Sequence, residues 1–253
     1  MRIKLGLIIC IVAENVSANQ WSLITGVEEF SMQEKATNGS LLVNEKGWLP
    51  FIGVQYIENL GSHTPVLRMK LNVSSAEIDY DGRLQSGQPY QTQTDTTRYG
   101  WNLAYRPPLN RPYSDQSLWL GLGTDYWQRK ILPRFDIAGL DEDYRSNYVN
   151  LEWQKQLSFG FVKLGYAYHF DSELALHLPG YQVPKISLPS SHQGDIELGY
   201  SVFDNLNIMS RYSIRSIQRS KDYSIQRNGF LAGTIAQPKH IIQILSFNLE
   251  YKF

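Results

Sequence analysis

Hydrophobic and polar residues alternate with a period of two over most of the chain, the spacing of half-buried β-strands. Ile241, Leu245, Phe247, Leu249, Tyr251 and Phe253 share one face with Gln243, against His240, Ser246, Asn248, Glu250 and Lys252. Val162, Leu164, Tyr166, Tyr168 and Phe170 alternate with Phe161, Lys163, Gly165, Ala167 and His169. The same rule predicts strands through Ile52–Tyr56, Leu67–Val73, Thr97–Arg106, Leu118–Trp127, Val149–Gln154, Asp195–Val202 and Leu206–Arg215. A further strand from Ser22 to Lys35 is less regular. Its apolar set is Ile24, Gly26, Phe30 and Met32, read as facing outward, and Glu28 is misplaced among them.

The connections alternate in length. Asn59–His63, Pro107–Asn110, Leu157–Phe159 and Phe203–Asn205 are short. Thr37–Lys46, Asp81–Gln93, Leu132–Asp143, Ser172–Ser191 and Lys221–Pro238 are longer and rich in Gly, Ser, Pro and Asn. Ten strands with both termini on one side give four turns and five loops, the plan of a transmembrane β-barrel. The predicted fold is all-β, a closed antiparallel transmembrane barrel of ten strands, with eight and twelve as alternatives.

Two features favour lipid over a soluble sandwich. The apolar faces are almost free of charge and end in rings such as Tyr56, Tyr105, Tyr126, Trp153, Tyr168 and Tyr251, which suits an aromatic girdle. The exception, Lys155, lies near a turn, where such a charge costs about 0–1 kcal/mol. The polar faces carry both signs: Arg68, Lys70, Arg98, Lys163, Arg211 and Arg215 against Asp125, Glu152, Asp195, Glu197 and Glu250. In a closed interior these charges must pair, so they form a predicted lumen network. At ten strands the interior is only a little wider than side chains can fill. An ion-paired plug therefore fits better than a selective pore, which stays as an alternative.

Residues 1–18 combine a basic start (Arg2, Lys4), an apolar core from Leu5 to Ala13, and the small residues of Val16-Ser17-Ala18, the make-up of a secretory signal peptide cut after Ala18. The domain expected to remain is 19–253, without Cys10, the sole cysteine, and hence without disulfides. No run of 18 apolar residues occurs, so no membrane-spanning helix is expected. Across 253 residues, 24 Lys and Arg balance 24 Asp and Glu, which removes the basic footprint of a nucleic-acid binder.

The ending Leu245-Ser246-Phe247-Asn248-Leu249-Glu250-Tyr251-Lys252-Phe253 resembles the last strand of Gram-negative outer-membrane barrels. The resemblance implies an assembly signal in Phe247, Leu249, Tyr251 and Phe253, and the outer membrane as location. It implies outer-membrane lipid, lipopolysaccharide, periplasmic chaperones and the barrel assembly machinery as partners. The segment from Asp79 to Gly87 is similar to loop motifs of small uncharacterised barrels, which brings no function with it.

Chemical motifs are few. Gly121-Leu122-Gly123 has no following helix to cradle a phosphate. His63, His169, His177, His192 and His240 are dispersed without metal-ligand spacing, so no metal and no cofactor are expected. One constellation resembles the omptin proteases. Asp79 and Asp81 end the third strand, and His169 and Asp171 end the seventh. In that family, acids on the second loop face an Asp/His pair on the fourth, and a water is activated between them. His169 and Asp171 are expected to point inward. Asp79 and Asp81 join them only if a bulge near Ser74-Ser75 reverses the third strand, with Ala76, Ile78 and Tyr80 then outward. The order His-x-Asp is the reverse of the family's. The competing reading makes the three acids solvated rim residues and packs His169 beneath the girdle. The sequence thus points to a non-catalytic structural or surface-recognition role. A surface protease and a narrow solute channel are the alternatives.

Overall fold

The computed structural model describes residues 19–59, 66–83, 87–108, 115–135 and 137–253. The signal peptide expected over residues 1–18 lies outside them. The strands are β1 (Gln20–Lys35), β2 (Leu41–Asn59), β3 (Val66–Arg83), β4 (Pro89–Arg106), β5 (Gln116–Ile131), β6 (Leu140–Leu157), β7 (Gly160–His177), β8 (Ile186–Leu188), β9 (Ser191–Phe203), β10 (Leu206–Ile217), β11 (Tyr223–Arg227), β12 (Phe230–Ile235) and β13 (Lys239–Lys252). Ten of them form the wall: β1 to β7, β9, β10 and β13, each antiparallel to its neighbours. The wall closes where β1 pairs with β13, from Ser22–Lys252 to Lys35–Lys239. Closure leaves the ten wall strands no open edge across the lipid-facing region, as hydrocarbon requires of backbone N–H and C=O groups.

The period-two reading is realised as two environments. Leu120, Leu164 and Phe247 are 49%, 48% and 48% exposed on the outer surface, far from any dry centre. Their neighbours Arg68, Lys163 and Glu250 are buried inside. A belt of Tyr99, Tyr126, Tyr168, Phe170 and Tyr251 rings the apolar surface. Tyr99 and Tyr126 stack with centroids 4.9 Å apart.

The first strand corrects the sequence reading. Its even residues face inward: Phe30 and Met32 are 0% and 1% exposed, whereas Trp21 and Val27 are exposed outside. Glu28 is therefore in phase with its strand, and its carboxylate takes the Arg98 guanidinium at 2.9 Å. Apolar rings sit inside because the outer half of the interior is itself apolar.

That half was read from sequence as loops. The strands instead run on beyond the belt, leaving residues 36–40 to join β1 to β2 and 132–139 to join β5 to β6. Inside this extension Phe30, Leu49, Ile78, Tyr80, Trp127, Tyr144, Leu174, Ile186, Ile217 and Ile242 form one apolar core. Trp127 lies 4.7 Å from Tyr144 and 5.5 Å from Phe30 between ring centroids. Each such side chain adds about 1.5–3 kcal/mol by leaving water. Gly47 lets β2 and β3 approach here, since a Cβ on it would meet Ile78 Cγ2 at 2.4 Å.

The two longest connections have structure of their own. β8 lies in the fourth. In the fifth, β11 and β12 form a hairpin turned by Asn228 and Gly229, both at positive φ (52° and 79°), the conformation of a tight two-residue turn.

Opposite stabilities follow for the two faces. Leu122→Arg, on the lipid side, should cost about 2–4 kcal/mol in lipid vesicles. Phe30→Ala, in the inner core, should cost about 3–5 kcal/mol whether lipid or detergent surrounds the barrel. Urea unfolding in both media measures each.

Candidate functional site

The lumen charges are arranged in layers. At the end carrying the short turns, Trp119 packs with Val66 and Ala104. The guanidinium of Arg68 lies 4.4 Å over the Trp119 ring, and that of Arg106 lies 5.3 Å over it. Arg68 also forks onto Glu152 through two bonds of 2.7 and 3.2 Å, the planar fit that favours arginine over lysine. Lys163 pairs with Glu197 at 2.7 Å and Arg211 with Asp195 at 3.2 Å. Glu250 accepts hydrogen bonds from Gln55 Nε2 at 3.0 Å and Asn207 Nδ2 at 2.8 Å. Lys70 lies across from Gln55 in the β2–β3 register.

The middle layer holds Glu28, which takes Arg98 and a 3.0 Å bond from Ser74 Oγ. Arg215 is held by hydroxyls, donating to Ser191 Oγ and Ser146 Oγ at 2.9 Å each. Asp125 lines the same cavity as both arginines. Two cavities of about 80 and 190 Å³ share Glu28, Arg98 and Asp125 in their walls.

The roof is a single guanidinium among three carboxylates. Arg129 reaches Glu34 at 3.2 Å and Glu45 at 2.9 Å, and also bonds Glu142. Thr94 Oγ1 donates to Glu45 at 2.7 Å, Tyr144 OH to Glu142 at 3.0 Å and Gln237 Nε2 to Glu34 at 3.2 Å. All four charged residues of this cluster are buried, at the same end of the barrel as the apolar core.

All eleven residues expected in the lumen face it. Adding Glu28 equalises the two signs. Sequence reasoning missed Glu28, and also Glu34, Glu45, Arg129 and Glu142. The signal was present, because the alternation continues past the belt into segments read as loops. Phe247, Leu249 and Tyr251 of the expected assembly signal lie exposed on the outer face, and Phe253 packs its ring 5.0 Å from that of Tyr251.

The rim quartet is not brought together. β3 keeps one register with β4 from Val66–Arg106 to Arg83–Pro89, so nothing reverses it at Ser74-Ser75. Ile78 and Tyr80 point inward, and Asp79 and Asp81 are exposed on the outer face. His169 does face the lumen, 1% exposed, with Ser146 Oγ at 3.1 Å and Gln193 Oε1 at 3.2 Å. Asp171 does not. A bulge puts an extra β7 residue opposite Arg145–Asn147, and Asp171 takes a left-handed φ of 48° there. Its carboxylate accepts from Asn147 Nδ2 at 2.9 Å on the outer wall. Among the described residues, no group of three His, Cys, Asp or Glu is placed to hold a metal.

The buried roof carries a clear energetic expectation. Arg129→Met strands three carboxylates and should destabilise the barrel by about 3–5 kcal/mol at neutral pH. The loss should shrink in acid, because protonated carboxyls need no counter-charge. Urea midpoints across pH check both.

No family model matches the sequence, and no curated protein matches it. Solved structures do match. The outer membrane protease OmpT from Escherichia coli superimposes with a TM-score of 0.56 at 12% identity, covering 93% of this chain and 96% of that one. An outer membrane channel from Pseudomonas putida F1 gives 0.49 at 8% identity over 95% and 97% of the two chains. The translocator domain of the autotransporter NalP from Neisseria meningitidis gives 0.45 at 8% over 92% and 88%. At 12% identity the likeness to the Escherichia coli protein is one of fold. With the closed ten-stranded wall, the outward apolar belt and the ion-paired interior, it makes this chain a β-barrel of the kind found in bacterial outer membranes.

Proposed function

We propose that the protein is a non-conducting, non-catalytic barrel of the outer membrane, with a structural or recognition role at the cell surface. The observation that carries this reading is the double seal of the lumen. At one end Trp119, Arg68 and Glu152 close the bore. At the other the apolar core and the Arg129 cluster fill it. Moving an ion along the axis would require dismantling one of these layers, and a buried charge stripped of its partner is costly.

The surface offers the contact sites instead. The β11–β12 hairpin presents Phe230 and Leu231, and the turn before β6 presents Phe135, 79%, 74% and 88% exposed. Exposed aromatics on well-defined turns suit recognition of another surface. Lipopolysaccharide and outer-leaflet lipid fit the belt as partners, and the outward Phe247, Leu249 and Tyr251 of β13 fit capture by the assembly machinery. The protease activity of the Escherichia coli neighbour finds no support in the four residues proposed for it, since only His169 faces the lumen.

The purified protein in planar bilayers should show no unit conductance steps, and outer membranes bearing it should cleave peptides no faster than membranes without it. Steady ion-selective steps would overturn the sealed reading. Cleavage abolished by His169→Ala would overturn the non-catalytic one.

A further inference from the structure

Among the described residues, the wall is incomplete where β9 gives way to β8. The pairing of β9 with β10 stops at His192–Ser216. Beyond it, β8 continues the line of β9 and pairs only with β7, through Ser172–Leu188, Glu173–Ser187 and Leu174–Ile186. Pro189 lies at the break between β8 and β9 and has no N–H to give to a neighbouring strand. On the far side, the chain after Ile217 turns towards β13, where Ser220 N bonds Gln237 O at 3.0 Å. The edge of β8 is thus left without a strand.

One side chain covers it. The Tyr223 hydroxyl accepts from Ser187 N at 2.9 Å and donates to Ser187 O at 3.2 Å, satisfying both backbone groups that a strand would have taken. The seam also has a destination. Leu188 on β8 and Ile217 on β10 both line the cavity of about 80 Å³ that Arg98, Asp125 and Arg215 enclose. That cavity shares walls with the larger one below.

We propose that the seam between β8 and β10 is a side portal, held shut by the Tyr223 clasp, through which small polar molecules reach the lumen cavities from the outer side. Opening it moves Ile186 and Leu188 at the edge of the apolar core, while the Arg68–Glu152 floor and the Arg129 cluster keep their ion pairs. The seam is thinly held: three residue pairs to β7, the Tyr223 phenol and, farther out, the backbone pair between Gln182 and Gln226 secure it, where β7 itself is paired along both edges. Two buried side chains, Ile186 and Leu188, resist the opening.

The test uses a cysteine at Ser213, a buried residue lining both cavities. Purified full-length barrel in lipid vesicles is treated with a small methanethiosulfonate cation. Tyr223→Ala should speed modification of Ser213→Cys by about tenfold or more, and Tyr223→Phe, which keeps the ring and loses the clasp, by a smaller factor. A second cysteine placed separately at Asn207, buried at the floor, should react equally slowly in every background. Equal rates at Ser213→Cys with and without Tyr223 overturn the portal. So does parallel acceleration at Asn207→Cys, which reports a loosened barrel rather than a gate. Conductance of the wild-type protein is recorded alongside: steady steps there would sink the axial seal and leave the portal standing.

Discussion

The need to pair every backbone amide in hydrocarbon governs this molecule. It turns a set of alternating strands into a closed wall, and closure turns one face of every strand into an interior. What enters that interior is then decided strand by strand by parity. Buried charges are costly when left single, so most of the lumen charges are paired, Arg68 with Glu152, Lys163 with Glu197, Arg211 with Asp195 and Arg98 with Glu28, while Arg215 and Glu250 are held by hydroxyls and amides.

The interior has two kinds of filling. Within the lipid belt it is polar and ion-paired, with room left over in two cavities. Above the belt it becomes an ordinary apolar core with one charged cluster at its centre. The change follows the surroundings of the wall. Inside the belt the outer face already takes the apolar side chains. Beyond it both faces would meet water, so stability comes from burying Phe30, Leu174 and Ile186 within. The result is a barrel whose outer half resembles a small globular domain. Its surface hairpin and turns are left to meet other molecules.

The bulge at Asp171 shows how one residue redistributes chemistry. Without it, His169 and Asp171 would share the lumen as alternation demands. With it, Asp171 joins Asn147 on the outer wall, and Ser172 comes inside to meet Ser146 at 2.7 Å. His169 is left in a set of serines and an amide, with no carboxylate to orient it.

The sequence by itself determined nine regular strands, an expected tenth, the antiparallel plan and the inward set from Arg68 to Glu250, because a period of two survives any choice of neighbour. It also determined the outward position of Leu164, Leu120 and Phe247. It misplaced the first strand, since Phe30 and Met32 look lipid-facing until an apolar interior is known to exist above the belt. Strand ends were illegible for a related reason: polar residues in a wet extension read as loop, as at Glu45 and Glu142, so their meeting with Glu34 and Arg129 passed unnoticed. Only the tertiary structure brings those four together across strands distant in sequence, places the bulge that turns Asp171 outward, and leaves the β8 edge to Tyr223. Each is a matter of register and neighbour, which alternation along a single strand does not encode.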